Sequence, residues 1–136
     1  MSFYIIFPSN TSTSNTASSL VVDWDTSITL VGKWKVALTE YAICIPSVHD
    51  WQHMYVYSSV SEPILVGNVR VPLLRQIWID ESNDKLILHE CLDHPMYLPV
   101  SSSSINNIEI QIRNDKGELI NFPKDSKTSL TLHFEQ

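Results

Sequence analysis

The sequence predicts an all-β fold: an antiparallel β-sandwich, jelly-roll-like, with eight to nine strands. Three observations predict it. Apolar residues recur with period two almost throughout, and no stretch carries a convincing helical period of 3.6. The candidate strands are short and are spaced by Pro, Ser and Asn turn signals, the grammar of sandwiches and barrels. Finally, the chain has 136 residues, 43% of them apolar and 18% charged. That suits one domain over residues 1–136, able to bury about 70% of its unfolded surface. An immunoglobulin-like sandwich is the alternative, although the paired Cys and Trp pattern of antibody domains is missing.

The elements follow in order. Phe3, Ile5 and Phe7 alternate with Tyr4 and Ile6 in an opening strand that is apolar on both parities and closed by Pro8. A Ser/Thr/Asn-rich loop leads to Leu20-Val21-Val22-Asp23-Trp24. Ile28 and Leu30 precede Gly32, after which Trp34, Val36 and Leu38 alternate with polar or small residues. Tyr41, Ile43 and Ile45 continue on the opposite parity, so a bulge is expected at Thr39-Glu40 to keep one long strand facing inward. Further strands are expected at Met54–Val60, Leu73–Ile79 and Lys85–His89, the last after the turn signal Ser82-Asn83-Asp84. A short proline-bounded edge strand or loop crossing is expected at Tyr97–Val100 and a single helical or 3₁₀ turn near Ser101–Ile105. Ile108, Ile110 and Ile112 form a half-buried strand, and Asn114-Asp115-Lys116-Gly117 turns it back so that Leu119–Phe122 pairs as a hairpin. Leu130, Leu132 and Phe134 make the last strand.

Composition excludes several functions. Nine basic and fifteen acidic residues give a net charge of −6, which argues against a nucleic-acid partner, since such binders concentrate basic residues to displace phosphate counterions. Three glycines leave no Walker or Rossmann phosphate loop. No apolar run reaches the roughly 18 to 20 residues a membrane span needs, so membrane insertion is not expected. The opening residues lack the basic region of a signal peptide, which predicts synthesis in the cytosol. Cys44 and Cys91 lack CxxC spacing and read as free, mostly buried thiols, with a mutual disulfide as the lesser alternative. Asn10-Thr11-Ser12 fits a glycosylation sequon, which matters only in a secreted chain.

Few constellations carry chemistry. In His89-Glu90-Cys91-Leu92-Asp93-His94, a strand would put His89, Cys91 and Asp93 on one face, with His49 and His53 as candidate outside ligands. The spacing matches no closed zinc motif, so neither a metal nor any other cofactor is expected. His49-Asp50-Trp51-Gln52-His53 lacks the glutamate of HExxH and reads as a loop anchored by Trp51. With no GxSxG elbow, the serine runs read as loop residues and the chain is not expected to be an enzyme. Trp24, Trp51, Tyr55, Tyr57 and Trp78 could form a sugar-stacking platform, the alternative function being a ligand- or glycan-binding module used for attachment. Against that, Trp34, Trp78 and one of Tyr55 and Tyr57 are expected in the core.

A resemblance covers nearly the whole chain. Its pieces are Phe3–Asn10, Leu30–Glu40, Tyr55–Ser58, Glu62–Asn68, Pro72–Arg75, Tyr97–Val100, Ile108–Ile112, Asp115–Gly117 and Leu132–Phe134. In order and spacing they resemble the β-rich virion proteins of Polinton/Maverick elements and adintovirus-like viruses. Ala37, Asn68 and Glu135 stand where that family typically has Gly, Asp and a basic residue. The resemblance implies a structural role in a virion, as a minor capsid, penton-like or spike-associated subunit made in the host cytoplasm. It transfers no catalytic residue. The implied partners are other capsid proteins and further copies of this chain, with closed trimers or pentamers as the favoured geometries. Tyr4 and Ile6, outward on the first strand, and the Tyr55/Tyr57 face are the expected oligomer contacts.

Overall fold

The computed structural model describes residues 1–9, 15–46, 49–79 and 87–136. Among them eleven strands occur and no α-helix. The strands are β1 (Ser2–Pro8), β2 (Ser19–Thr29), β3 (Lys35–Cys44), β4 (His53–Ser58), β5 (Ile64–Val66), β6 (Val69–Val71), β7 (Leu73–Trp78), β8 (Ile87–Cys91), β9 (Leu98–Pro99), β10 (Ser104–Arg113) and β11 (Ser129–Glu135). The first sheet runs β1-β11-β3-β8, with β9 pairing β3 beyond β8. The second runs β2-β10-β4-β7, and every pair is antiparallel. The chain passes between the sheets at β1–β2, β2–β3 and β3–β4, and again at β7–β8, β9–β10 and β10–β11.

One core cluster joins the inner faces. The first sheet contributes Phe7, Val36, Leu38, Tyr41, Ile43, Leu130, Leu132 and Phe134; the second contributes Met54, Val56, Leu74, Ile77, Ile108, Ile110 and Ile112. The alternation along β4, β10 and β11 is what lets each strand give one face to this core. β3 needs the expected bulge to do so. Thr131 faces Glu40 and Leu132 faces Leu38, leaving Thr39 as the extra residue. Across it the inward set shifts from Val36 and Leu38 to Tyr41 and Ile43 without a break in burial.

Several expectations need correction. The strand number is eleven rather than eight to nine because β5, β6 and β9 are separate short strands. β5 and β6 form a hairpin whose two-residue loop puts Gly67 at φ +62°, the left-handed position a II′ turn gives to glycine. Ser101–Ile105 is not a helical turn. Ser101 Oγ donates to the Val60 carbonyl and Ser102 Oγ to that of Ser104, so these hydroxyls hold a loop leading into β10. Leu119–Phe122 is not a strand: after the Arg113–Leu119 bridge and the bond from Ile120 N to Ile112 O, the chain leaves β10 to bury Ile120 and Phe122. The turn itself forms, with Asn114 Oδ1 accepting from Lys116 N and Glu118 N. The sequon at Asn10, the Ser82-Asn83-Asp84 turn and the start of the Lys85–His89 strand lie outside the described residues.

The same turn ties down β4. The Asp115 carboxylate accepts from Gln52 N at 2.9 Å and lies 2.7 Å from His53 Nδ1. The Gln52 backbone bond, followed by His53, holds the Asp115 carboxyl below its ordinary range. A depressed carboxyl stabilises the fold above the unfolded value of about 3.9 and loses that contribution as pH falls through the folded value. Asp115→Ala is therefore expected to lower the urea midpoint at pH 7, with the gap to the parent closing below about pH 4. A gap that is constant down to pH 2 to 3 contradicts this.

Candidate functional site

The opening strand carries the clearest unpartnered surface. β1 ends its sheet: it pairs with β11, from Ser2 opposite Glu135 to Pro8 opposite Ser129, and with no other described strand. Its inner parity is anchored, since Phe7 is fully buried and Phe3 stacks on Phe134 with ring centres 4.9 Å apart and planes 6° from parallel. Its outer parity is not, and Tyr4 and Ile6 are 62% and 64% exposed. An apolar edge strand exposed in this way offers both a backbone edge and a side-chain surface to another chain.

The surface beside it is ordered by polar contacts. Tyr4 stacks on the His133 ring at 4.4 Å, and His133 Nδ1 lies 2.7 Å from the Tyr97 hydroxyl. Lys35 pairs with Glu135 at 3.0 Å and lies 5.1 Å from the Tyr97 ring centre. Lys35 holds the Glu135 carboxyl below the ordinary range, while partial burial pushes the Tyr97 phenol up. His133 is buried although it points outward, because the two tyrosines cover it.

Tyr55 and Tyr57 lie elsewhere. They are half-buried on the outer face of the second sheet, so the fold does not join them to Tyr4 and Ile6 in one patch. On their face Tyr55 sits opposite Gln76, whose Nε2 donates to its hydroxyl at 3.3 Å. His53 sits opposite Trp78, ring centres 4.0 Å apart and nearly perpendicular. Trp78, expected in the core, is instead 72% exposed, because β7 turns Ile77 inward and leaves Trp78 outside at the sheet margin. Of the five aromatics considered for a sugar platform, Tyr55, Tyr57 and Trp78 share this face. Trp51 is buried at its loop, as an anchor, and Trp24 is half-buried against the core. Trp34 is buried as expected, its Nε1 donating to the Val31 carbonyl at 2.9 Å. Trp78→Phe should therefore remove most of the acrylamide-quenchable tryptophan fluorescence; an unchanged quenching constant contradicts that exposure.

Of the suggested metal ligands, His89 and Cys91 stay together and the others separate from them. His49 Nδ1 faces the Trp51 carbonyl, and His53 contacts Asp115 on the second sheet, so neither reaches β8 in the first. Asp93 lies past the end of β8. Glu90 accepts a 2.7 Å bond from the buried Tyr41 hydroxyl, whose phenol is pushed up by burial and by this carboxylate. The residue that joins His89 and Cys91 is Glu40 of β3, which pairs directly with Cys91. The cysteines are less buried than expected, Cys44 half-buried and Cys91 exposed. Cys44 faces Ile87 while Cys91 faces Glu40, four residues along β3, roughly 13 Å at strand spacing and beyond disulfide reach.

Sequence reasoning missed Glu40 and the β5–β6 hairpin, on which Leu65 and Val69 are exposed. Gly67-Asn68 between valines was the available hairpin signal. No local signal marks Glu40, because it meets His89 only through the sheet. No family model matches the chain, and no curated protein matches it.

Proposed function

We propose that this chain is a non-enzymatic structural subunit of a virus-like particle, assembling with copies of itself and with other capsid proteins. The observation that carries the reading is β1, an edge strand with a buried inner parity and an exposed apolar outer one. Two further features support it. The sheet orders β1-β11-β3-β8 and β2-β10-β4-β7 support a jelly-roll reading of this antiparallel sandwich, with β5–β6 inserted and β9 appended. Jelly rolls build viral capsids, though also lectins and cupins, so the fold alone does not choose the function. The chain-wide resemblance to Polinton/Maverick and adintovirus-like virion proteins favours the capsid role and a place in the virion after synthesis in the host cytoplasm. Negative-stain microscopy of the purified chain should show closed rings of three or five copies, or larger shells. Uniform particles of single-chain size at all concentrations would overturn the proposal.

A second reading, a glycan-binding module used for attachment, is favoured by exposed Trp78 beside Tyr55 and Gln76, where a ring face adjoins hydrogen-bonding groups. A glycan array read together with tryptophan fluorescence tests it, and silence in both rejects it.

A further inference from the structure

We propose that Glu40, His89 and Cys91 bind a zinc ion on the outer face of the first sheet. Glu40 on β3 lies directly opposite Cys91 on β8, and His89, two residues before Cys91, lies opposite Ala42. Antiparallel pairing and period-two alternation thus present a carboxylate, an imidazole and a thiol on one face. One donor atom from each lies within 4.8 Å of the other two. Glu40 Oε1 and His89 Nε2 are 2.6 Å apart, a hydrogen-bonded pair that holds two of the three donors together and that a metal would take the place of.

The donor set fits the metal. Zinc takes thiolate sulfur at about 2.3 Å, imidazole nitrogen at about 2.0–2.1 Å and carboxylate oxygen at about 2.0–2.2 Å in tetrahedral sites. Such bonds place donors roughly 3.3–3.8 Å from one another, a spacing these side chains reach by shifts of about 1 Å through their χ angles. A thiolate with an imidazole selects zinc over magnesium or calcium, which prefer all-oxygen sites. As the S–Zn bond forms the thiol proton passes to water, and the imidazole binds in its neutral form. Three protein donors leave a fourth position for water.

The surroundings define the set. β8 ends its sheet path, so this face of the edge is open to solvent, and both His89 and Cys91 are exposed. An exposed thiol is unusual for a residue type most often buried, and here it stands beside two other zinc-ligating groups. Glu90 between them is engaged with Tyr41, and Asp93 lies beyond the strand, so neither joins the set. Among the described residues this is the one group of three such donors brought so close.

Cobalt(II) chloride titrated into the reduced, untagged full chain tests the site. The expected result is a thiolate-to-cobalt charge-transfer band in the near ultraviolet, saturating at one equivalent, with visible bands of tetrahedral intensity that zinc chloride bleaches. Cys91→Ser should abolish the charge-transfer band and Cys44→Ser should retain it. Glu40→Gln and His89→Gln should each weaken cobalt binding by about tenfold or more. Circular dichroism of these surface variants should match the parent, which separates ligand loss from unfolding. No saturating band at one equivalent overturns the proposal. So does a band that survives in Cys91→Ser, or an affinity unchanged in both Glu40→Gln and His89→Gln.

Discussion

Replacing Tyr4 and Ile6 together by lysine is expected to reduce the solution mass of the protein to that of its 15.5 kDa single chain. Both side chains point away from the core on a strand that pairs with β11 alone among the described strands, so the change leaves the inner contacts of Phe3, Ile5 and Phe7 in place. Exposed substitutions usually shift stability by about 0.5 kcal/mol or less; losing the Tyr4 stack on His133 adds a modest cost, so the urea midpoint should fall only slightly. Assembly responds far more strongly. Paired lysines on an edge strand bring like charges together in any contact that uses it, the device by which natural proteins keep sheet edges from joining. A mass unchanged in the double variant, with folding intact, removes β1 from the contact. The same charges placed at Tyr55 and Tyr57 act on the opposite sheet, so comparing the two double variants assigns the contact to one face.

Phe134→Ala is expected to have the largest effect on stability. The side chain is fully buried in β11, the strand between β1 and β3, and it stacks on Phe3. Truncating a buried phenylalanine costs about 3–5 kcal/mol through lost transfer energy and the cavity left behind. A domain of this kind holds only about 5–15 kcal/mol in total. Because Phe3 loses its stacking partner, the attachment of β1 should loosen with the core. Urea unfolding read by tryptophan fluorescence measures the loss, and a change below about 1 kcal/mol contradicts this packing. Phe134→Leu, which keeps most of the volume, should cost distinctly less.

What the sequence makes legible is what the period-two rule encodes locally. The alternation at Ile108, Ile110 and Ile112, and at Leu130, Leu132 and Phe134, reads directly as inward faces. The parity change after Leu38 reads as the bulge found at Thr39. The two-sided apolarity of Phe3–Phe7 marks β1 before its place at the sheet edge is known. Failures occur where long-range pairing decides. The position of Trp78 depends on which parity of β7 the core accepts, and both parities there carry large apolar residues. Ile120 and Phe122 are apolar enough for a strand, yet they fill the core from a loop. Glu40 meets His89 and Cys91 only because β3 and β8 pair, and nothing within ten residues of Glu40 announces that neighbour. The β5–β6 hairpin was within reach of its Gly67-Asn68 signal, but its strands of three residues are too short for alternation to reveal.

The most direct test of self-assembly is absolute mass by light scattering on a size-exclusion column, over a series of protein concentrations. The proposed structural role predicts a defined multiple of 15.5 kDa, a trimer, a pentamer or a larger particle, held as the protein is diluted. A clean 15.5 kDa species at every concentration would contradict it.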